Sequence, residues 1–376
     1  MVSFVVMQIA GATLTFSCPV YEQILSLVRS NLKEGEITLV AHRIVHGGDE
    51  TAPIPIRHEN REEASILARM DAVSAFAPLH SHHAMLVVKH TLSTLPNAVS
   101  VLCFDTLFHS SISTIKTTYP IPPSQDSPVP LRKYGFHGLS YASILRQMSG
   151  ELKKSEDEID LIVVHAGSGA SCCLILKGQS VDTTMGLTPL EGLPGGTRSG
   201  SVDPSLIFHH TPNSSNLVTL SGSQKIARGE LLLNKESGFK ALTGTSDFGK
   251  IISRAFDDTT EGEEKDKARL CYDLFVDRVC AFVANYLSQA GGRVDGIVFS
   301  GGIGEKSDRF RADVMASAAG WIEQLSGKNG GIDARRNSEG EGRVREITKD
   351  GSYVRAYVVE TDEEAECIKL ALKHEK

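Results

Sequence analysis

Residues 160–175 read Asp-Leu-Ile-Val-Val-His-Ala-Gly-Ser-Gly-Ala-Ser-Cys-Cys-Leu-Ile, an apolar run that enters a turn of small residues and leaves as a second apolar run. The two runs predict a pair of buried strands, and the glycines let the backbone of the turn approach a ligand closely. Free N–H groups in such a turn can cradle a phosphate. From these residues alone, a phosphate loop and an ordinary glycine hairpin explain the pattern equally well.

Short runs rich in β-branched residues recur along the chain, with helical periodicity between them. The apolar runs are Ile37–Val40, Ala98–Leu102, Leu161–Val164 and Gly296–Phe299, and the helical patterns cover Ala64–Phe76 and Ala268–Ser288. This alternation predicts an α/β fold. The charged stretch Glu151–Glu158 is expected to be a domain boundary or a surface connection, and the glycine-rich stretch Ser326–Arg343 an exposed loop.

The overall composition is that of a soluble enzyme. The chain has 376 residues, of which 41% are hydrophobic and 23% charged, and this length suggests two or three domains. A net charge of −7 argues against a general nucleic-acid surface, but it does not exclude a local basic pocket for small anions. No apolar run reaches the ~18 residues of a membrane span. We therefore expect neither a nucleic-acid partner nor a membrane.

Cysteine usage and the first residues bear on the compartment. The seven cysteines form no CxxC pair and no zinc spacing, which indicates reduced thiols in a reducing compartment. The apolar segment Ser3–Phe16 contains Ala10-Gly11-Ala12, which is similar to a signal cleavage site. No Lys or Arg precedes that segment, however, and polar residues interrupt it, so a core strand is the better interpretation. A cytoplasmic location is the resulting expectation.

Several patterns come close to known catalytic motifs but lack a required residue. Gly244–Ile251 nearly spells a Walker A loop, yet Ile251 stands where a Ser or Thr must reach Mg²⁺. Asp247-Phe248-Gly249 matches a protein-kinase triplet, but no His-Arg-Asp catalytic loop precedes it. His42 and His46 lie four apart without the Glu of a metalloprotease helix. The sequence has no G-x-S-x-G nucleophile elbow either, so we reject all these classes.

Two further glycine-rich segments carry chemical potential. Val298–Glu305 repeats the pattern of a strand followed by a glycine turn, although its spacing is not that of a dinucleotide-binding fingerprint. Val181–Pro204 is rich in small residues and turns, with Arg198 alone among the glycines. A flexible surface loop explains this second segment, and so does an arginine held by a shaped loop to bind an anion.

Taken together, these segments resemble the acetate kinase family. In the family's order, the matching segments are Ala41–Gly48, Ala77–His80, Phe104–His109, Arg132–Gly138, His165–Ser171, Asp182–Pro204, Val298–Glu305 and Thr361–Glu364. The resemblance implies two ribonuclease H-like domains around a nucleotide cleft, as in sugar kinases, chaperone ATPases and actin. Residues 1–148 would form the acid-substrate domain. Residues 149–376 would form the nucleotide-binding domain, with the final helix packing back on the first.

The resemblance also implies roles for individual residues. Asp105 would be the catalytic carboxylate, His137 would stabilise the transition state, and Arg43 and Arg198 would contact the substrate and the phosphoryl group. The acetate methyl would lie against Val45, Leu79, Phe136 and Pro189, and Glu363 would lie at a Mg²⁺ site. The implied nucleotide site consists of His165, Ala166, Gly167, Ser168, Gly169, Asp247, Phe248, Gly249, Gly302, Ile303, Gly304, Glu305 and Lys306. A homodimer is also implied.

The implied activity is reversible transfer of a phosphoryl group between ATP and acetate, giving acetyl phosphate and ADP. Acetate is already ionised at pH 7, so no general base is needed. Two arginines, a histidine and Mg²⁺ suit the task of neutralising charge on a moving phosphoryl group. Two alternatives stay open: an impaired family member that acts as a binding protein, and a kinase for a slightly larger acid such as propionate.

The sequence departs from the family pattern at several points. Family members open with a strand and a small-residue loop, whereas Met7–Leu14 is either a degraded loop or a later strand. The spacing from Gly11 to Arg43 is shorter than in the family. We therefore expect the first domain to lack its opening strand and phosphate loop. On the nucleotide side, Gly249 stands in place of an Arg and Lys306 in place of an Asn. Ser168 and Asp362 also replace asparagines.

Overall fold

The structure is a computed structural model that describes residues 4–9, 12–17, 37–58, 62–76, 78–219, 225–326 and 331–374. The chain divides into two compact units. Unit 1 comprises Met1–Ser143 together with Asp362–Lys376, and unit 2 comprises Ile144–Thr361. The last helix therefore belongs to unit 1, although it follows all of unit 2 in the sequence. Within the described ranges, no helix is both long and apolar enough to cross a membrane.

Five strands form the sheet of unit 1: β1 (Phe4–Ile9), β2 (Ala12–Ser17), β3 (Ile37–Ile44), β4 (Ile54–Ile56) and β5 (Val99–Phe104). Their order across the sheet is β2-β1-β3-β5-β4. Strands β3 and β5 run parallel, with Arg43 beside Cys103. Every residue of β5 is buried, as its nearly continuous apolar run predicts for a strand covered on both faces. Because β3 and β5 are parallel, the residues that end them lie at the same edge of the sheet.

Helices cover both faces of this sheet. The described helices of unit 1 are α1 (Glu63–Val73), α2 (Pro78–Thr94), α3 (Thr114–Thr117), α4 (Gly138–Leu152, which continues into unit 2) and α13 (Glu363–His374). Residues on one stripe of α13, Cys367, Ile368 and Ala371, pack against Leu39 and Ala41 of β3. On the opposite face, side chains of β3 and β5 pack against α1 and α2.

Unit 2 is built on a six-stranded sheet and a separate two-stranded one. Its strands are β6 (Leu161–Ala166), β7 (Ala170–Leu176), β8 (Gln179–Thr183), β9 (Leu217–Thr219), β10 (Lys225–Ala227), β11 (Gly296–Ser300), β12 (Val344–Glu346) and β13 (Ala356–Val359). The large sheet has the order β12-β13-β11-β6-β7-β8, and β9 pairs with β10. Strand β11 is parallel to both β6 and β13. The hairpin of β6 and β7 confirms the pair of strands that residues 160–175 predict.

The two sheets differ in the direction of the strand that lies beside the parallel pairs β3–β5 and β11–β13. In unit 2 this neighbouring strand is β6, which runs parallel to β11. In unit 1 it is β1, which runs antiparallel to β3. Ile9, at the end of β1, consequently lies beside Ile37 at the start of β3. This is the opposite end of β3 from Arg43. Met7–Ile9 and Ala12–Leu14 thus belong to two paired strands of the sheet, and the ends of these strands at Ile9 and Ala12 lie away from the Arg43 edge. Residues 10 and 11 lie outside the described residues.

A cluster of aromatic side chains forms the core between the helices of unit 2. These helices are α5 (Leu206–His210), α6 (Arg228–Lys235), α7 (Gly238–Thr243), α8 (Phe248–Phe256), α9 (Gly262–Gln289), α10 (Gly301–Lys306), α11 (Asp308–Ser326) and α12 (Ala334–Glu339). Buried residues of α9 recur every three or four positions and include Tyr272 and Phe275. The Phe275 ring lies 5.1–5.3 Å, centroid to centroid, from those of Phe239, Phe248 and Phe310.

Most of the predicted elements are present. The four predicted strands and the helix over Ala268–Ser288 are confirmed, and the pattern over Ala64–Phe76 corresponds to α1 and one further helical turn. The prediction of an exposed loop over Ser326–Arg343 is wrong in part, because Ala334–Glu339 forms α12 and Asn337 is only 4% exposed. Asp333 caps this helix by accepting a hydrogen bond from the Arg336 N–H. The glycines on both sides of α12 concealed it in the sequence.

Replacing Phe275 with Ala should destabilise unit 2 by about 3–5 kcal/mol, because it leaves a cavity between three other aromatic rings. Urea unfolding followed through the fluorescence of Trp321, the single tryptophan of the chain and a residue of unit 2, measures this change. Leu270→Ala on the same helix is the matched control. Leu270 is 58% exposed, so its loss should stay within about 0.5 kcal/mol. Equal effects of both variants would contradict the packing described.

Candidate active site

The edge of the unit 1 sheet brings Arg43 and Asp105 together. Arg43 lies near the end of β3, and Asp105 is the first residue after the parallel strand β5. The Arg43 Nε donates to Oδ1 of Asp105 at 3.1 Å and the Nη2 to Oδ2 at 2.9 Å. Because these two bonds are parallel, they fix the plane of the guanidinium as well as its position.

Glu363, the first residue of α13, reaches the same guanidinium from a distant part of the sequence. Its Oε2 lies 2.7 Å from Arg43 Nη1, and the Ser140 hydroxyl donates to its Oε1. Burial by itself would lower the pKa of Arg43, but the carboxylates of Asp105 and Glu363 raise it above its ordinary value. Arg43 therefore stays charged. With both acids ionised, the three side chains carry one net negative charge.

These three side chains differ in how far solvent reaches them. Asp105 is 0% exposed, Arg43 3% and Glu363 17%. A ligand can therefore touch Glu363 before it touches the other two. The position of Asp105 suits it to orienting Arg43 rather than to touching a ligand itself.

The donor chemistry at Glu363 fits a magnesium ion. Mg²⁺ prefers oxygen ligands, keeps several waters, and is usually held by one or two carboxylates together with substrate phosphates. A partly exposed carboxylate within a negatively charged cluster meets that requirement. The described ranges contain no group of three or more His, Cys, Asp or Glu residues arranged to hold a metal. Phosphate oxygens would have to supply part of the coordination.

His137 has an unusual backbone conformation for a residue with a side chain. Its φ is 63°, in the left-handed region that non-glycine residues seldom adopt. The Gly138 N–H donates to the Asp105 carbonyl at 2.8 Å and holds the chain there. A Cβ at Gly138 would lie 2.1 Å from that carbonyl oxygen, so only glycine permits this close approach. Strain of this kind concentrates at functional sites, in keeping with a catalytic role for His137.

The predicted methyl pocket is only partly described. Phe136 and Val45 in unit 1 are both buried, and so is Pro189 in unit 2. Leu79 belongs to α2, and its side chain lies outside the described residues. His109 fixes Phe136, because its Nε2 lies 2.9 Å from the Phe136 carbonyl. A carbonyl oxygen can only accept, so this nitrogen carries the proton.

In unit 2, two glycine turns meet at one edge of the sheet. Strands β6 and β11 are parallel, with His165 beside Ser300, so the turns that follow them are neighbours. Gly167 N–H donates to the Gly169 carbonyl at 2.9 Å and closes the first turn. Gly301 has a φ of 74°, and a Cβ there would lie 2.7 Å from the Ala166 carbonyl oxygen. The turns can pack this closely because glycine has no side chain.

Arg198 lies in a loop that is tied to the first of these turns. The Gly196 N–H donates to the Ser168 carbonyl at 3.2 Å, and the Gly195 N–H to the Arg198 carbonyl at 3.0 Å. Burial lowers the pKa of Arg198 to about 10. In the part of the chain that the structure describes, no carboxylate pairs with its guanidinium. The hydrogen bonds favour the shaped anion-binding loop over the flexible one, and a partly buried cation without a counter-charge is suited to an anionic ligand.

A cavity of about 500 Å³ lies in unit 2 and is called the unit 2 pocket below. It is lined by Gly167, Ser168, Ser246, Asp247, Phe248, Gly249, Ile252, Gly302, Ile303, Lys306, Ser307, Asp308 and Arg309. The turn after β6, the start of α8 and the segment that joins α10 to α11 all contribute. A Cβ on Gly249 would approach only Asp247 Oδ1, at 3.3 Å. The glycine therefore leaves this part of the wall open.

The unit 2 pocket contains eight of the thirteen residues that the resemblance assigns to the nucleotide site. The other five, His165, Ala166, Gly169, Gly304 and Glu305, do not line the cavity. Sequence reasoning missed five of the residues that do: Ser246, Ile252, Ser307, Asp308 and Arg309. Ser307 directly follows a glycine-rich segment, and Asp308 begins a long helix. That sequence signal could have extended the predicted site by three residues.

The family model of the acetokinase family matches residues 15–369 of the chain. The chain belongs to the acetokinase family. A probable acetate kinase from Cryptococcus neoformans var. neoformans is 47% identical over 342 residues, covering 89% of this chain and 77% of that protein. The solved acetate kinase from Porphyromonas gingivalis is 28% identical and superimposes with a TM-score of 0.78, covering 99% of this chain and 90% of that one.

A propionate kinase is among the similar solved structures. The enzyme from Francisella tularensis is 28% identical, with a TM-score of 0.79, and the match covers 97% of this chain and 88% of that one. These matches bear out the resemblance in family and in fold. Acetate and propionate kinases superimpose on this chain equally well, whereas the relative that is 47% identical is a probable acetate kinase.

His42 lies next to Arg43 on β3 and points to the opposite face of the sheet, as strand geometry requires. Its Nε2 is 3.2 Å from Ser100 Oγ, and its Nδ1 has no partner among the described residues. Burial lowers the pKa of His42 to about 3. The ring is therefore neutral in the folded protein at any pH where the enzyme would work.

His42→Gln should make the fold less sensitive to acid. The pKa of His42 is about 3 in the folded protein and about 6.5 in the unfolded chain, which therefore takes up the proton first. Its contribution to stability is complete above pH ~6.5 and is lost as the pH falls from there towards 3. Between pH 6 and 4 the wild type should lose up to about 1.4 kcal/mol per pH unit more than the variant. Parallel stability curves would show that folded His42 is protonated.

Proposed function

We propose that the chain is an acetate kinase, which transfers a phosphoryl group reversibly between ATP and acetate to give acetyl phosphate and ADP. The observation that carries the proposal is the hydrogen bond from Gly196 to Ser168. It joins the loop of Arg198, a cation with no carboxylate partner among the residues that the structure describes, to a glycine turn that lines the unit 2 pocket. Phosphoryl transfer needs this combination of a phosphate cradle and an adjacent cation.

The unit 2 pocket suits ATP as the phosphoryl donor. Its volume of about 500 Å³ lies within the ~300–1,000 Å³ of typical cofactor pockets. Phe248, Ile252 and Ile303 supply apolar surface for a base, and the glycine turns supply backbone that can approach phosphates. Lys306 and Arg309 add two cations to the rim. Both line the same pocket as Gly249, the position at which the family pattern has an arginine.

The chemistry asked of the protein is the handling of charge. Acetate is ionised at neutral pH, so the side chains need to bind two anions and stabilise the transferring phosphoryl group. Arg198 and His137 would act on that group, and Arg43 would bind the acid. Asp105 would set the orientation of Arg43 through their paired hydrogen bonds. Groups that are held in place before the reaction stabilise developing charge most effectively.

Mg²⁺ would be held by Glu363 together with phosphate oxygens of the nucleotide. When bound, the ion would neutralise charge on the phosphates during transfer. Glu363 is held by Arg43 and Ser140, so its carboxylate is already oriented. The exposed fraction of 17% leaves it accessible to a ligand.

The acid pocket would be formed by Val45, Leu79, Phe136 and Pro189. Buried apolar side chains at Val45 and Phe136 favour a methyl-sized tail. The second candidate function is propionate kinase, for which the 28% identical Francisella tularensis structure gives only weak support. One methylene in an apolar pocket changes the free energy of transition-state binding by only about 1–3 kcal/mol. The enzyme would therefore use both acids, with different values of kcat/KM.

The protein is further proposed to act as a homodimer in the cytoplasm. The homodimer rests on the family resemblance alone. The location is supported by the cysteines, since all six that are described are free thiols and five of them are buried. Free thiols are typical of a reducing compartment.

The purified chain should form acetyl phosphate from acetate, ATP and Mg²⁺, measured as the hydroxamate. The kcat/KM for acetate should be about 10–200 times the kcat/KM for propionate. A folded protein that gives no acetyl phosphate would overturn the proposal. A ratio below one would favour the propionate kinase instead.

Arg198→Met should lower kcat by about 10²–10³-fold and change the KM for acetate much less, because the guanidinium would act on charge that develops during transfer. Arg228→Met is the matched control, since the Arg228 guanidinium pairs with Glu236 at the surface. That variant should keep the wild-type kcat. Normal turnover by the Arg198 variant would show that the Arg198 loop serves another purpose.

A further inference from the structure

Helix α10 forms part of the wall of the unit 2 pocket, yet its sequence is poorly suited to a helix. Gly301–Lys306 reads Gly-Gly-Ile-Gly-Glu-Lys, and each interior glycine costs about 1 kcal/mol relative to Ala. Helices shorter than ~12 residues are marginal in isolation even with good sequences. Contacts from outside must therefore hold α10 in place, and with it Gly302, Ile303 and Lys306 of the pocket.

Arg311 supplies those contacts at the end of α10. Its side chain is 1% exposed, and its Nη1 donates to the carbonyls of Gly304 and Glu305, both at 2.9 Å. The last carbonyls of a helix have no partner within the helix and carry partial negative charge, so a guanidinium is a suitable cap. Arg345 adds a second cap through its Nη2, 3.1 Å from the Glu305 carbonyl.

Asn337 completes the cluster from α12. Its Oδ1 accepts from Arg311 Nε at 2.7 Å, and its backbone carbonyl accepts from Nη2 at 2.6 Å. Its Nδ2 donates to the Asp308 carbonyl at 2.8 Å. Asp308 begins α11 and also lines the unit 2 pocket. The pair Arg311–Asn337 thus holds both the end of α10 and the start of α11.

Every strong contact of the buried Arg311 guanidinium is to a neutral acceptor. Burial and the neighbouring positive charge of Arg345 lower the pKa of Arg311 to about 10, and the negative charge of Asp308 opposes this shift. In the described part of the chain no carboxylate forms an ion pair with Arg311. Burying a cation without a directly paired counter-charge is costly, and an apolar side chain of similar volume would fill the same space at less cost. An apolar side chain could not form the four hydrogen bonds that the guanidinium makes, two to carbonyls of α10 and two to Asn337.

We propose that Arg311 and Asn337 are positioning residues for the phosphoryl-donor pocket. Neither residue lines the pocket, but both hold the segment 302–309 through hydrogen bonds. The backbone and side chains of this segment would therefore contact the nucleotide in a single arrangement. This inference rests on the proposed function of the unit 2 pocket as the ATP site. The role of α12 would be to carry Asn337, although the sequence predicts an exposed loop there.

Two variants test the proposal by weakening different bonds. Arg311→Lys keeps the charge but cannot reach both α10 and Asn337. Asn337→Asp keeps the acceptor for Arg311 and removes the donor to Asp308. Each should raise the KM for ATP about tenfold, as expected for one or two lost hydrogen bonds. The KM for acetate should stay within twofold, whereas a general loss of structure would affect both substrates.

Arg335→Met is the matched control, because Arg335 lies on the same helix as Asn337 and is 86% exposed. It should leave both KM values unchanged. Unchanged KM values for ATP in the Arg311 and Asn337 variants would overturn the proposal, and so would equal rises for ATP and acetate.

Hydrogen exchange of the ligand-free protein separates this inference from the proposed function. Amides of 302–309 should exchange at least about tenfold faster in both variants than in the wild type, with the amides of β6 unaffected. If the wild type fails to use ATP, the proposed function is wrong, and exchange alone then decides whether these residues hold the segment. Unchanged exchange at 302–309 would show that they do not. If Arg311→Lys does not fold, Asn337→Asp provides the same comparison.

Discussion

Parallel pairing of β3 with β5 and of β6 with β11 is the constraint on which both candidate sites depend. Parallel strands end at the same edge of a sheet, so residues far apart in sequence become neighbours there. In unit 1 this edge joins Arg43 to Asp105, and in unit 2 it joins the turn after His165 to the turn after Ser300. Open α/β sheets bind ligands beyond the carboxyl ends of their strands for this reason.

Three buried or partly buried arginines differ in the groups that compensate for their positive charge. Arg43 is paired with two carboxylates, and Arg311 donates hydrogen bonds to neutral carbonyl and amide oxygens. Among the described residues, Arg198 has neither kind of partner to compensate for its burial, in agreement with its lowered pKa. A cation that the fold leaves uncompensated is best explained by an anionic ligand, whereas the other two are explained by the protein around them.

Some tertiary features gave a sequence signal and others gave none. The apolar runs predicted β3, β5, β6 and β11, because buried strands need uninterrupted apolar residues whatever surrounds them. Helix α12 was not predicted, because its polar sequence is stabilised by the cap at Asp333 and the bonds of Asn337 to distant residues. Arg311 likewise gave no sign of its role, since a single arginine on a helix is normally a surface residue.

The sequence by itself determined the family, the α/β class and most of the residues that line the unit 2 pocket. It could do so because glycine turns and strand patterns are local, and a turn without Cβ atoms is needed wherever the backbone packs closely. Only the tertiary structure decided that Asp105 is buried and paired with Arg43, and that Glu363 joins them from the last helix. It also decided that no carboxylate of the described residues pairs with Arg198. Burial and charge pairing depend on residues hundreds of positions apart, and no local pattern records them.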